Sequence, residues 1–245
     1  MLLYRIKRHP FAVTAHFRHC LVLTYAFPSE VLQPLLPPGL RVDTYEQYAF
    51  LALALVETER MRPSVLPAFF GRDFFLSGYR IFTRLGSSLR GLRILRSYTD
   101  KPLMGRVGNL LTHYQYQVCR MERSESSGLL GYDIATPDGT GDLQVSAVID
   151  GTASLPAGSP FPSETEARRF AGPLPYTFDY EQETNSIVRI VGVRSRWNPR
   201  MVEVEVRKNS FLHQERFRGA NPILANAFYL NDVPYKWEPG VVEPL

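Results

Sequence analysis

The residue of this sequence with the best setting for chemistry is Lys101, which lies where a predicted strand meets a predicted helix. The run from Leu92 to Tyr98 places alternate residues on opposite sides of a pleat and predicts the strand. Thr99 or Asp100 is a suitable helix N-cap, and Pro102 suits the first helical turn. A helix start presents backbone N–H groups and a positive dipole end, which depress the pKa of a lysine and attract anions. The alternative for Lys101 is a surface position paired with Asp100.

Arginine supplies most of the positive charge. The chain has 28 lysine and arginine residues against 24 aspartate and glutamate residues. Seven basic residues between positions 80 and 106 have only Asp100 as a counter-charge: Arg80, Arg84, Arg90, Arg93, Arg96, Lys101 and Arg106. They fall on both faces of two strands and a helix, which argues against a nucleic-acid partner. One or two of these arginines directed into a cavity would bind a carboxylate or phosphate by bidentate hydrogen bonds, which arginine forms better than lysine.

The histidines and carboxylates form no recognisable catalytic or metal motif. Glycine-rich nucleotide loops, the G-x-S-x-G elbow and H-E-x-x-H are all missing from the sequence. His16 and His19 are three residues apart on a predicted strand, so they face opposite sides and are interpreted as packing or hydrogen-bonding residues. Asp138 and Asp142 flank glycines, where aspartate is typical of turns. The sequence therefore predicts no metal and no cofactor.

Two further sets of residues bear on the environment of the chain. His113 begins a predicted strand in which it shares a face with Gln115 and Gln117, and such a polar row suits either solvent or a wet cavity. Cys20 and Cys119 lie in predicted strands and do not form a disulfide framework. No apolar run approaches the length of a membrane span. We therefore expect a cytoplasmic protein without a membrane partner.

The pattern of elements predicts one α+β domain over residues 1–245, built on a large, mainly antiparallel sheet that is curled or closed into a barrel or cone. A capping box at Ser163 and Glu166 predicts a short helix that ends at Gly172 and Pro173. A loop from Met61 to Asp73, with Phe69 and Phe70, is either a lid or a satellite cluster. The other predicted elements are a helix capped by Ser29, a polar turn over 123–128, a possible helix over 223–229, and strands over 15–27, 40–44, 48–57, 79–85, 113–121, 132–136, 143–150, 176–180, 187–196 and 201–207, the last three as a meander.

Two segments resemble the acetoacetate-decarboxylase-like superfamily, and within it a branch of bacterial proteins of unknown function. They are PSEVLQPLLPPGLRVD, from Pro28 to Asp43, and RILRSYTDKPLMGRVGNLLTHY, from Arg93 to Tyr114. The resemblance implies a curled antiparallel barrel or cone around an interior cavity, often in oligomers. It also implies the chemistry of members that decarboxylate β-keto acids, in which a lysine forms a Schiff base with the ketone. Only the free amine attacks, so that lysine needs a depressed pKa.

The resemblance carries site residues onto particular positions. Arg18 lies where the decarboxylases have a cavity arginine, and Tyr98 lies where they have a tyrosine two residues before a lysine pair. Without a gap, Asp100 takes the position of the reactive lysine; with a gap of one residue, Lys101 takes it. The strand position of a cavity glutamate holds Leu51 or Phe50 here.

Three hypotheses for function remain open. The first is a cavity protein that binds a small anionic or carbonyl-containing organic molecule, such as a carboxylate or keto acid, without established catalysis. The second is a Schiff-base lyase with decarboxylase, aldol or dehydratase chemistry. The third is a structural or interaction protein. In the second hypothesis, Lys101 is the catalytic candidate. For a ligand or substrate in either of the first two, Arg18, Arg96, Tyr98 and His113 are the binding candidates. A homo-oligomer is compatible with all three.

Overall fold

Long strands dominate the protein. The structure is a computed structural model that describes residues 3–172 and 174–245. Within these residues the strands are β1 (Val13–Pro28), β2 (Leu40–Val42), β3 (Thr44–Tyr45), β4 (Tyr48–Pro63), β5 (Arg72–Leu85), β6 (Leu89–Thr99), β7 (Tyr116–Val118), β8 (Arg120–Ser126), β9 (Leu129–Ala135), β10 (Leu143–Val148), β11 (Tyr176–Glu181), β12 (Ser186–Arg194), β13 (Arg200–Met201), β14 (Glu203–Asn209), β15 (Ile223–Trp237) and β16 (Val241–Pro244).

The larger sheet closes on itself. Its strands are hydrogen-bonded in the order β15-β1-β4-β5-β6-β11-β12, and β12 pairs again with β15 through Gly192 opposite Trp237. All of these neighbours are antiparallel except β6 and β11, which pair in parallel at Gly91 and Leu92. A closed sheet has no free edge in the ring. The expectation of a mainly antiparallel, closed barrel with few short helices is confirmed.

A second, four-stranded sheet, in the order β14-β10-β9-β8, packs against the outside of the barrel. The interface is a large apolar core in which alternate side chains of β1, β4 and β5 meet the inner face of this sheet. Phe75 and Tyr132 bring their ring centroids to 5.7 Å across it. Tyr79 stacks on Phe211 with centroids 3.7 Å apart. Aromatic pairs of this kind add to the free energy gained by burial.

Three short α-helices connect the strands: α1 (Ser29–Leu32), α2 (Pro102–Leu111) and α3 (Glu164–Ala171). Short 3₁₀ helices cover Leu3–Lys7, Gln33–Leu35, Ala68–Phe70, Ser210–His213 and Glu215–Phe217. The Ser163 side chain accepts a hydrogen bond from the backbone N–H of Glu166, as its capping box predicted. Pro173, predicted to end α3, lies outside the described residues. In the described ranges, no helix is long and apolar enough to cross a membrane.

Several local predictions were wrong where pairing with distant strands decided the structure. The predicted helix over 223–229 is instead the start of β15, which pairs with β1 along its length. The predicted turn over 123–128 is mostly β8, because residues 120–126 pair with β9. The predicted meander breaks after β12: β14 leaves the barrel and pairs with β10 in the second sheet. Ser29 begins α1 rather than capping it, and Pro28 is the N-cap. Long-range pairing overrides local propensity in such segments.

Candidate functional site

The barrel encloses a cavity of about 370 Å³. The reason it stays open is visible on β4, where Ala52, Ala54 and Val56 line the cavity while Leu51, Leu53 and Leu55 fill the core on the outer face. Side chains alternate between the faces of a strand, so β4 places small residues inside and large ones outside. The lining is mainly apolar, and β1, β5, β6 and β15 contribute Cys20, Val22, Leu76, Phe82, Ile94, Phe228 and Leu230.

The charged residues that line the cavity have one sign. They are Arg62, Arg72, Arg80 and Arg194, and the described part of the lining contains no aspartate, glutamate or lysine. Neither Arg80 nor Arg194 has a carboxylate within 4.0 Å among the described residues. A guanidinium stays protonated in proteins, so the interior carries positive charge without internal compensation.

Arg80 extends from β5 into this space. Its Nε atom is buried and has no hydrogen-bond partner. A Cβ placed on Gly78 would lie 3.5 Å from this Nε and 3.6 Å from Ser97 Oγ. The guanidinium therefore lies along its own strand, over a position that has no side chain. A glycine at this position leaves the Arg80 head group room beside Ser97.

Arg194 enters from the end of β12. Its guanidinium lies 4.6 Å from the ring centroid of Trp197 and 5.9 Å from that of Tyr235. Burial lowers its pKa from the ordinary arginine value, while Tyr235 acts in the opposite direction. Aromatic faces stabilise a cation without neutralising its charge, so the Arg194 guanidinium still attracts an anion.

Three tyrosines of the cavity offer hydrogen-bond donors at neutral pH. Burial raises the pKa of Tyr114, Tyr116 and Tyr235, so their hydroxyls stay protonated, and the Tyr114 hydroxyl has no partner. Burial also raises the pKa of the Cys20 thiol to about 12, although Arg80 and Arg194 lower it. Cys20 is therefore a packing residue and not a thiolate nucleophile. Together these groups can hold the oxygen atoms of an anion.

A buried polar cluster adjoins the cavity beside Tyr114. Asp179 accepts a hydrogen bond from Arg93 at 2.9 Å, and burial raises the pKa of its carboxyl despite that partner. His113 lies close to Asp179, and burial lowers the pKa of its imidazole. The His113 Nε2 atom is buried and has no partner. Neither His113 nor Asp179 belongs to the lining itself.

The structure does not bring the five predicted site residues together. Lys101 is the N-cap of α2; its side chain is 56% exposed, and its Nζ atom lies 3.2 Å from Asp100. The Arg18 side chain is 62% exposed and lies 3.8 Å from Glu59. These two residues lie on the surface, outside the cavity.

Arg96 and Tyr98 lie on the face of β6 opposite to the cavity. Tyr79, the register partner of Arg96 on β5, belongs to the core beneath the second sheet, and so does Tyr98 itself. The Tyr98 ring is buried edge-on to Tyr79, and its hydroxyl has no partner. Burial raises its pKa to about 12. A register shift between β5 and β6 at Tyr79 and Arg80 reverses the alternation of β6, so Ile94 and Ser97 face the cavity while Arg96 and Tyr98 face away from it.

Sequence reasoning anticipated one cavity arginine in general terms but did not identify the pair. Arg80 belongs to the basic series, from which one or two members were expected to enter a cavity, while Arg84 and Arg90 both pair with Asp43 at 2.6 Å. Arg194 was not singled out. The usable signal was the row of small residues at Ala52 and Ala54, which identifies the hollow face of the sheet.

Solved structures with the same fold belong to the acetoacetate-decarboxylase-like group. They include acetoacetate decarboxylase from Legionella pneumophila, with 12% identity and a TM-score of 0.62 over 96% of this chain and 88% of that one. An acetoacetate decarboxylase-like enzyme from Sphingomonas wittichii RW1 has 14% identity and a TM-score of 0.62, covering 98% and 94%. The enduracididine biosynthesis enzyme MppR, complexed with pyruvate, has 10% identity and a TM-score of 0.62, covering 95% and 90%.

The resemblance read from the two sequence segments is thus confirmed at the level of the fold. No curated protein matches the chain by sequence. A family model does match it, over residues 14–233, which include all of the barrel strands except the first residue of β1, the last four residues of β15 and the whole of β16. The chain therefore belongs to the DUF2071 family of uncharacterized conserved proteins.

Proposed function

We propose that the barrel is a binding site for a small organic anion, held by Arg80 and Arg194. The observation that supports this most strongly is the charge of the lining, which has four arginines and no described carboxylate. A buried cation without a partner is costly, and proteins usually pair it with a carboxylate. An anionic ligand would supply that partner.

The shape and composition of the cavity narrow the ligand. Its volume of about 370 Å³ lies in the range of roughly 300–1,000 Å³ that is typical of small-molecule sites. Aliphatic and aromatic side chains form most of the wall, and Trp197 and Tyr235 flank the Arg194 guanidinium. The ligand that fits these properties has an acidic group and an apolar body. The fold neighbour MppR, which has been solved in complex with pyruvate, is consistent with a carboxylate in a barrel of this shape.

Titration calorimetry with octanoate and phenylacetate tests this proposal. We expect both to bind, and we expect octanamide and octylamine, which lack the negative charge, not to bind. Arg80→Met and Arg194→Met keep much of the side-chain volume and should each weaken octanoate binding about tenfold or more, since each removes a charged donor. Arg120→Met, at an exposed arginine on β8, is the matched control and should bind as the wild type does. Equal binding of octanoate and octanamide would contradict the proposal.

Imine chemistry at Lys101 is the second candidate. It is supported by the position of Lys101 directly before α2, whose Leu103 and Met104 line the cavity. The four lysines of the chain, Lys7, Lys101, Lys208 and Lys236, all lie outside the lining, which favours binding over imine formation. Borohydride trapping with pyruvate and acetoacetate, followed by mass mapping, separates the two candidates. A trapped adduct on Lys101 that disappears in Lys101→Ala would establish the enzyme, and no adduct would leave the binding function. If no ligand binds and no adduct forms, a structural or interaction role remains.

A further inference from the structure

The surface around the cavity opening is unusually apolar. Two segments form it, which we call the apolar rim: Val65, Phe69 and Phe70 on the loop between β4 and β5, and Leu103, Val107 and Leu110 on α2. Among the described residues, the five most exposed large apolar side chains all belong to the rim, led by Val65 at 88% and Phe69 at 78%. Single exposed apolar residues are ordinary, but a concentration on adjacent elements marks an interaction surface.

Both segments border the same opening. Phe70, Leu103 and Val107 are exposed and also line the cavity, so the rim and the interior form one continuous apolar surface. Leu103, Val107 and Leu110 are spaced four and three residues apart, which places them along one face of α2. Phe69 and Phe70 pack on each other, with ring centroids 4.2 Å apart, and are otherwise open to solvent. The rim therefore presents two apolar ridges at the barrel mouth.

The charges beside the rim are positive. Arg60, Arg72 and Arg106 are exposed, and in the described ranges none of them has a carboxylate within 4.0 Å. The two nearby acids already hold backbone groups: Asp73 accepts from the Arg60 N–H at 2.9 Å, and Asp100 accepts from the Phe75 N–H at 2.9 Å. These two carboxylates keep their charge, so the positive charge beside the rim is an excess: residues 60–73 and 100–110 contain Arg60, Arg62, Arg72, Lys101 and Arg106 against Asp73 and Asp100.

The positive charge beside the rim distinguishes between two partners that could cover it, a second copy of the chain and a lipid surface. A second copy of the chain would present the same excess of basic side chains, so two rims brought together would repel electrostatically. An anionic lipid surface complements them, since its headgroups are negative and its interfacial region accepts apolar side chains. We propose that the apolar rim docks on the surface of an anionic lipid bilayer. The sequence predicted no membrane partner because no segment can span a bilayer, but docking at the surface requires no span.

Vesicle co-sedimentation tests the proposal on the full chain. We expect the wild type to sediment with vesicles of phosphatidylcholine mixed with phosphatidylglycerol, to remain in solution with phosphatidylcholine alone, and to be released by added salt. The double variant Phe69→Ser/Leu110→Ser should bind the mixed vesicles about tenfold or more weakly, because it removes two apolar anchors. The matched control is Leu129→Ser/Val241→Ser, which removes two exposed apolar residues far from the rim and should bind as the wild type does.

The outcome separates docking from ligand binding inside the barrel. Phe69 and Leu110 do not line the cavity, so the double variant should keep its affinity for octanoate, and Arg80→Met should keep its affinity for vesicles. Unchanged sedimentation of the double variant, an equal loss in the control, or no sedimentation of the wild type would overturn the proposal. So would light scattering that finds a wild-type dimer which Phe69→Ser/Leu110→Ser converts to a monomer, because the rim would then be a contact between copies.

Discussion

The two faces of the barrel sheet differ in how their charged groups are paired. On the outer face, beneath the second sheet, Arg123 lies 2.7 Å from Glu57, which also accepts a hydrogen bond from the Tyr132 hydroxyl at 2.7 Å, and the Tyr79 hydroxyl donates to Asn209 at 2.7 Å. On the inner face, Arg80 has no carboxylate partner among the described residues, and its Nε atom has no hydrogen-bond partner. Unpartnered hydroxyls occur on both faces, at Tyr98 on the outer and at Tyr114 on the inner. Tyr79 and Arg80 are consecutive residues of β5, so a single strand serves both faces. The comparison indicates that the outer face stabilises the fold and that the inner face is kept open for a ligand.

The outer face should show its role most clearly at Phe211. This residue is fully buried and stacks on Tyr79 between the barrel and the second sheet. Phe211→Ala should lower the free energy of unfolding by about 3–5 kcal/mol, since it removes apolar contacts and leaves a cavity. Urea denaturation with a well-determined m-value measures this. A loss below about 1 kcal/mol would mean that the outer core is not the main source of stability.

The hydrogen bonds of the outer face should have a smaller effect. Tyr79→Phe keeps the ring but removes the donor to Asn209, a residue that is 5% exposed. We expect the free energy of unfolding to fall by about 1–3 kcal/mol, because the Oδ1 atom of the Asn209 side chain is left buried without this hydrogen bond. The urea midpoints of Tyr79→Phe and Phe211→Ala should be compared. We expect the lower midpoint for Phe211→Ala, which would rank packing above hydrogen bonding on this face. The reverse order would contradict that ranking.

The free energy of unfolding should depend on pH through His19. This residue lies on the same outer face, in a separate group of hydrogen bonds. Its ring contacts the Tyr229 hydroxyl at 2.6 Å and the Arg123 guanidinium at 3.0 Å. Burial lowers the pKa of His19, while Glu57 acts in the opposite direction and Arg123 lowers it further. The folded state thus favours the neutral His19 ring. The stability that His19 contributes is therefore complete above its unfolded pKa of about 6.5, and it is lost as pH falls through its folded pKa.

His19→Gln should therefore reduce the loss of stability between about pH 7 and about pH 5. The measurement is the difference between the urea midpoints at the two pH values. The substitution removes the same hydrogen bonds at both pH values, so their effect on stability cancels in this difference. His213→Gln, a histidine outside this network, is the control and should retain the wild-type difference. A pH response in His19→Gln equal to that of the wild type would contradict the assignment.

The smallest effect on stability is expected on the inner face. Arg80→Met removes a half-buried cation whose buried Nε atom has no partner, and it introduces an apolar side chain of similar length. We expect the free energy of unfolding to stay within about 1 kcal/mol of the wild-type value or to rise. The same variant should lose octanoate binding. A large loss of stability would place Arg80 among the structural residues and erase the difference between the two faces.

Local patterns in the sequence predicted much of the fold. The β-branched and aromatic residues of β1, the apolar run of β4, the capping box at Ser163 and the start of α2 at Pro102 are short-range signals, and the structure contains all of these elements. β15 could not be predicted in this way. Its segment resembles a helix locally, and it becomes a strand because β1 pairs with it.

The candidate site was harder to predict, because it depends on which face of each strand is inside. Ser97 and Tyr98 are neighbours, and only the Ser97 side chain reaches the cavity. The sequence left that choice open for β6, so Tyr98 and Arg96 could not be separated from true lining residues. Arg194 and Arg80 line the same cavity because the barrel closes between β12 and β15, two strands that are far apart in the sequence. Closure of the sheet is a property of the whole fold and not of any one segment.

A crystal structure of the wild-type protein grown with octanoate tests the central claim most directly. The account predicts octanoate inside the barrel, with its carboxylate within hydrogen-bonding distance of both Arg80 and Arg194 and its alkyl chain against the apolar wall. An empty barrel, or octanoate bound only at the exposed surface near Lys101, would contradict it.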